Sequence, residues 1–182
     1  MMKRESRKKL VVGGAGAVFF VLLGIGQAVL ENRAEAQRAA AQGYVLGANE
    51  GETLVRPGGN IVIKADPTKG SPAMAMGTQH LKAGTGIPVH RHDQDEVLVI
   101  QEGGGVAVLG ESRQAVEKGA TIFIPKGVWH GVEKTTNDTH LLWIVTPPGL
   151  EGFFREASRA PGPLTSEQRN EIAGKHGTTF KP

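Results

Sequence analysis

The chain has no cysteine. That excludes disulfides and thiolate metal sites, so any metal would have to be held by nitrogen and oxygen donors. It leaves the compartment open, although oxidising surroundings would do such a chain no harm. Tyrosine occurs once and tryptophan twice in 182 residues. The formal charge of +3 is also less than it looks. Residues 1–36 carry six Lys/Arg against three Asp/Glu, and residues 37–182 carry fifteen of each sign. A body without net charge, basic stripe or interleaved aromatics excludes a nucleic-acid interface. No segment repeats at a solenoid period. What is plentiful is glycine, 26 residues with 10 prolines and no collagen-like spacing. That composition suits short strands joined by tight turns, within a length that fits one domain and a targeting segment or tail.

The amino terminus reads as an address. "MMKRESRKKL" is basic, and Leu10 to Leu30 follow without a charge. A basic start and an apolar run are the pattern of an export signal, with Gly26-x-Ala28 and Ala34-x-Ala36 as candidate cleavage sites. The run is also long enough, at about 20 residues, to remain as a membrane anchor. The expectation is therefore an exported protein, periplasmic or extracellular, or one anchored by residues 10–30. "SRKKLVV" resembles a twin-arginine signal in which Lys8 replaces the second arginine. Residues 1–36 are taken as signal or anchor and 37–52 as linker, within a solvated helical spacer starting at "ENRAEAQRAAAQ".

From about residue 53 the chain alternates β-rich runs with turn signals. Candidate strands lie at 60–64, 73–81, 96–101, 105–110, 120–124, 128–134 and 140–146, separated by segments such as "KAGTGIP", "EGGG", "EKG" and "TTND". Their short spacing predicts an antiparallel sandwich or barrel over 53–149. "EGGGV" lacks the helix and lysine of a phosphate loop and reads as a hairpin turn. The segment 150–182 turns helical: "LEGFFREA" is one short helix and "LTSEQRNEIAGKHG" a second. Thr165 and Gln168 stand at capping-box spacing and Gly177 can close the far end.

Six histidines are present, and two stand one residue apart in "GTGIPVHRHDQDEVLVIQEGG". In a strand His90 and His92 share a face, and Glu96, Leu98 and Ile100 keep the same parity. The apolar members mark that face as the interior, leaving Val97 and Val99 outward or toward a partner subunit. Burying polar side chains without partners costs roughly 1–3 kcal/mol each, so something must compensate them. A further histidine follows in "GATIFIPKGVWHGVEK", where Pro125 and Gly127 allow a sharp bend just before His130. Three imidazoles and a carboxylate suit a divalent metal, with positions left open for water, dioxygen or substrate. His80, His140 and His176 are read as hydrogen-bonded structural residues, His80 approaching the pocket if Met74 and Met76 face inward. Met74, Met76, Phe123, Trp129 and Trp143 are read as core, and Asp93 to Asp95 as a solvated loop.

These residues resemble the cupin family. Its first motif is Gly, five residues, His-x-His, three or four residues, Glu, six residues, Gly, and Gly84, His90, His92, Glu96 and Gly103 satisfy it. Its second is Gly, five residues, Pro-x-Gly, two residues, His, three residues, Asn. Gly119, Pro125, Gly127 and His130 satisfy it, with Lys134 in the Asn position. The fifteen intervening residues and the tail resemble single-domain, quercetin dioxygenase-like cupins. The resemblance implies an all-β jelly-roll barrel (a double-stranded β-helix), preceded by the signal or anchor helix and followed by short helices. It implies one divalent metal on His90, His92, Glu96 and His130, Fe(II) first among Fe, Mn, Ni, Cu and Zn. Glu96 would double as ligand and catalytic proton acceptor. The expected partner is a small organic substrate, with homodimerisation through exposed sheet as a further expectation. The activities implied are an oxygenase, a ligand-binding or sensing protein, or a metal-dependent isomerase or lyase on a sugar or keto acid.

Overall fold

The computed structural model describes residues 43–182. The signal or anchor at 1–36 and the helix-forming stretch Glu31 to Gln42 lie outside the described residues; the rest of the linker, 43–51, contains a turn and no helix. No described helix is long and apolar enough to cross a membrane.

Eleven strands follow in the described residues: β1 (Glu52–Arg56), β2 (Gly59–Ala65), β3 (Ala75–Leu81), β4 (Ile87–His92), β5 (Asp95–Glu102), β6 (Gly104–Leu109), β7 (Ser112–Glu117), β8 (Thr121–Ile124), β9 (His130–Glu133), β10 (Thr139–Thr146) and β11 (Thr178–Phe180). Two helices, α1 (Leu150–Ser158) and α2 (Ser166–Lys175), lie between β10 and β11. The strands form two antiparallel sheets, β1-β2-β3-β10-β5-β8 and β11-β4-β9-β6-β7. Such a pair of facing sheets, with few short helices, is a jelly-roll β fold.

Alternation of side chains builds the core between the sheets. On β5, Glu96, Leu98 and Ile100 are buried while Val97 and Val99 are half-exposed. On β10, Leu141, Trp143 and Val145 are buried with the same period. β2 adds Ile61 and Ile63, and β8 adds Ile122 and Ile124. Each such side chain gains about 1.5–3 kcal/mol over its exposed state. Gly77 faces Trp143 across the β3–β10 pair, where only hydrogen leaves room for the indole.

The helical tail keeps its expected caps. Thr165 and Gln168 form the reciprocal capping box, and Gly177 follows α2 in the left-handed conformation. Three expectations need correction. β7 was not anticipated, since five of its six residues are exposed and show no alternation; pairing with β6 creates it. The tail is not purely helical, because β11 returns to pair with β4. Of the five side chains expected in the core only Trp143 belongs there. Phe123 is exposed on an edge strand, Met74 and Met76 are half-exposed, and Trp129 carries Arg91 over its ring at 4.8 Å.

Candidate metal centre

His90 and His92 sit on β4, Glu96 near the start of β5, and His130 at the first position of β9. β4 and β9 pair so that His90 and His130 are direct partners, and β5 faces them from the opposite sheet. The bend before His130 works as its glycine suggests. Gly127 has φ +77, and its N–H donates to the His92 carbonyl at 2.8 Å. Asp95 accepts from the Lys126 N–H at 2.8 Å, so it anchors the turn and is not simply a solvated loop residue.

The donor atoms of His90, His92, Glu96 and His130 all lie within 4.8 Å of one another, and all four residues are buried. Each imidazole is oriented by its own backbone. His90 Nδ1 meets the Pro88 carbonyl at 2.9 Å, His92 Nδ1 the Gln94 carbonyl at 3.1 Å, and His130 Nδ1 the Val128 carbonyl at 2.9 Å. A carbonyl oxygen can only accept, so each Nδ1 carries the proton and each Nε2 turns its lone pair inward. This is the arrangement in which a histidine ligates metal through Nε2 while a backbone acceptor fixes its ring.

Inside the cluster, Glu96 Oε2 lies 3.2 Å from His92 Nε2 and 2.9 Å from His130 Nε2. The latter nitrogen is buried without an aligned hydrogen-bond partner. Acceptor atoms at such separations need positive charge between them, from a ring proton or a metal ion. Burial, with His130 alongside, pushes the His90 imidazole down to about 3, so that ring is neutral at physiological pH. Burial acts to raise the Glu96 carboxyl, but His130 and His92 outweigh it and bring it down to about 2. The separations also match the edges of a coordination shell with bonds of about 2.1 Å. The four residues therefore fit a divalent ion and could hold one.

A cavity of about 290 Å³ opens beside the cluster, with room for roughly ten water molecules. His90, Glu96 and His130 border it, and its walls are largely apolar, including Ile61, Leu98, Trp143, Phe153 and Leu164. An ion on the four residues would thus keep a side open to a ligand, as reactive rather than structural sites do.

The other histidines stay outside. The inward face of β3 is that of Ala75, Gly77 and Leu81, so His80 points away from the cavity, meets Asp138 at 3.1 Å and stacks on His140 at 4.6 Å. His176 contacts Glu156 at 2.9 Å. Sequence reasoning missed Phe180, whose ring stacks on His90 at 5.4 Å, together with the cavity residues Gln79, Arg56 and Arg169. For Gln79 the signal was available: it shares parity with Leu81 on an apolar strand. Phe180 and Arg169 reach the site only through the return of the tail, which no local pattern announces.

Residues 77–146 match the family model described as Cupin domain. An uncharacterised protein of Streptomyces coelicolor is 31% identical over 75 residues, covering 41% of this chain and 71% of that relative. Among solved structures, KdgF from Halomonas sp. superposes with a TM-score of 0.53 at 18% identity, over 59% of this chain and 96% of the other. The polyketide cyclase RemF from Streptomyces resistomycificus gives 0.51 at 20% identity, over 59% and 83%. At such identities the structural likeness concerns the fold.

Proposed function

The chain belongs to the cupin family, and from that premise we propose that it is a metal-dependent oxygenase of quercetin dioxygenase-like type acting on a small organic substrate. One observation carries the reading: three imidazoles held with Nε2 inward converge with one buried carboxylate, and His90, His130 and Glu96 of that quartet border a largely apolar cavity. A first-row divalent ion, Fe(II) foremost, would supply Lewis acidity and one-electron chemistry toward dioxygen. The chain's own residues do the rest. Backbone carbonyls of Pro88, Gln94 and Val128 fix the rings, and Trp143, Leu98 and Phe153 exclude water from the reacting volume. Glu96, ionised at neutral pH and bordering the cavity, accepts the proton of a substrate hydroxyl. Insertion of both oxygen atoms of dioxygen into the substrate needs no external reductant.

The test is elemental analysis of the purified chain followed by oxygen consumption. The expected result is about one metal per chain and oxygen uptake with at least one member of a panel of flavonols, enediols and phenols. A chain that takes up none of Fe, Mn, Ni, Cu or Zn overturns the reading. Conversion of a sugar or keto acid without oxygen uptake would instead establish redox-neutral isomerase or lyase chemistry, for which the same carboxylate base is suited. Saturable ligand binding without any turnover would mark a sensing protein. The basic start and uncharged run of the first 30 residues support export or anchoring, which fractionation with determination of the mature amino terminus distinguishes.

A further inference from the structure

Two arginines border the cavity, and neither belongs to the segment matched by the family model. Arg56 ends β1, with its guanidinium carbon 5.8 Å from the centre of the Phe153 ring. Arg169 lies on α2, its guanidinium carbon 4.4 Å from the centre of the Phe180 ring. Those two rings are 5.6 Å apart, and both arginines and both rings are among the residues that border the cavity. Phe180 also stacks on His90, so one phenyl ring touches both the Arg169 guanidinium and the imidazole quartet.

Neither cation has a carboxylate partner among the described residues, although acids stand close by. Glu52, on the same strand as Arg56, and Asp66 are both taken up by Arg155. Arg169 Nε is sealed from solvent without a hydrogen-bond partner. Burial lowers the Arg56 pKa from its ordinary value with nothing to oppose it. A guanidinium stays charged in a protein, and a buried donor left unmade costs about 1–3 kcal/mol. Glu96 is the one acidic side chain on the cavity wall, and the quartet is suited to a dication. The balance of charge around the cavity is positive.

We infer that the cavity receives a small carboxylate, whose charged group pairs with Arg56 and Arg169 while its apolar body lies along Phe153 and Leu164 toward the quartet. The inference rests on the reading of this cavity as a substrate site and narrows its substrate class. The volume suits a compact monoacid, and the planar forks of the two arginines match a carboxylate's paired oxygens. Both arginines act as specificity-determining residues.

The experiment uses the metal-loaded full chain under nitrogen, so that binding is read without turnover. Benzoate, cinnamate and pentanoate, each beside its primary amide, are titrated by calorimetry, with phenyl phosphate as a further arm. At least one acid is expected to saturate and to bind about tenfold or more tightly than its amide, since the amide has no charge and only one acceptor oxygen to offer the forks. Arg56→Gln and Arg169→Gln should each weaken the acid about tenfold and its amide by less, so that the acid-to-amide ratio falls, while leaving metal content unchanged. Equal affinity for acids and amides, no binding by any acid, or unaltered acid binding in both variants overturns the inference. Tighter binding of phenyl phosphate than of every acid overturns the carboxylate in favour of a phosphate ester. Arg169 also covers Phe180, so Arg169→Lys serves as a second variant that keeps the charge and loses the fork. The acid-to-amide ratio in the unaltered chain needs no variant at all. Acid binding without oxygen consumption would leave this inference standing and remove the oxygenase; turnover of amides as readily as acids would do the reverse.

Discussion

Lys134 stands where the second cupin motif has asparagine, and its backbone is left-handed at φ 53. A side chain with a Cβ pays about 1–2 kcal/mol for that conformation, and asparagine tolerates it best. The side chain is exposed, so little else changes on substitution. Lys134→Asn is expected to stabilise the chain by roughly 0.5–1 kcal/mol, read as a rise in the urea midpoint; an unchanged or lower midpoint would show that the turn carries no such strain. The opposite case is Gly77. An added Cβ there would press on the Val62 carbonyl oxygen and come within 2.6 Å of the Trp143 ring. Neither neighbour is a flexible side-chain end, so Gly77→Ala should cost about 3 kcal/mol and displace the indole, visible as a shifted tryptophan emission. At this scale most of the quartet was legible beforehand. Parity puts His90 and His92 on one face of β4. The alternation of β5 turns Glu96 inward with Leu98 and Ile100, although it meets the histidines from the opposite sheet and not along one strand. His130 needed the turn chemistry of Pro125 and Gly127. Asp95 and Phe180 were not legible, since a capped turn and a ring stack are properties of the folded neighbourhood.

Among the elements, the join between the tail and the barrel is the most exacting. Arg155 on α1 donates to Glu52 on β1 and to Asp66 beyond β2, and Asp66 is fully buried. Burial pushes the Asp66 carboxyl up, but Thr68 and Arg155 more than reverse it, and Arg155 likewise lowers Glu52. Carboxyls depressed in the folded state stabilise it above their unfolded values and lose that contribution as pH falls through the folded ones. Arg155→Met leaves Asp66 buried without its cation, at a cost of about 3–5 kcal/mol near neutrality. The deficit should be largest near pH 7 and smaller near pH 3: as pH falls the variant protonates its stranded acid first, and the unaltered chain loses its pair only below the ordinary carboxylate range, because its Asp66 is held down. Urea unfolding at both pH values reads this; a deficit independent of pH would mean that Arg155 acts through packing alone. Elements with alternating burial, such as β2, β5 and β10, were recognisable as strands from sequence. β7 and β11 were not: β7 is an exposed edge strand defined by the neighbour it pairs with, and β11, though buried at Thr178 and Phe180, is three residues long and too short to show a period.

For the molecule as a whole, the quartet is a connection between sheets. His90, His92 and His130 belong to the five-stranded sheet and Glu96 to the six-stranded one. An ion on all four would fasten the two layers beside the cavity, where an unfolded chain offers no preformed site. A group that binds only the folded state stabilises it by RT ln(1 + [L]/Kd), about 2.7 kcal/mol at a hundredfold excess over Kd. For a domain of this size that corresponds to a rise in Tm of about 5–10 °C. Adding metal to chelator-treated protein should therefore raise Tm by that order, with a shift that grows with metal concentration. Glu96→Gln retains shape but removes the charge and the ligand from the opposite sheet, and it should abolish most of the shift. His80→Gln, altered outside the cavity, should keep it. If the Glu96 variant responds as fully as the unaltered chain, the ion is held by one sheet alone and the carboxylate is not part of its shell. If both substitutions remove the shift alike, the metal acts through general stability and the quartet has no privileged place in it.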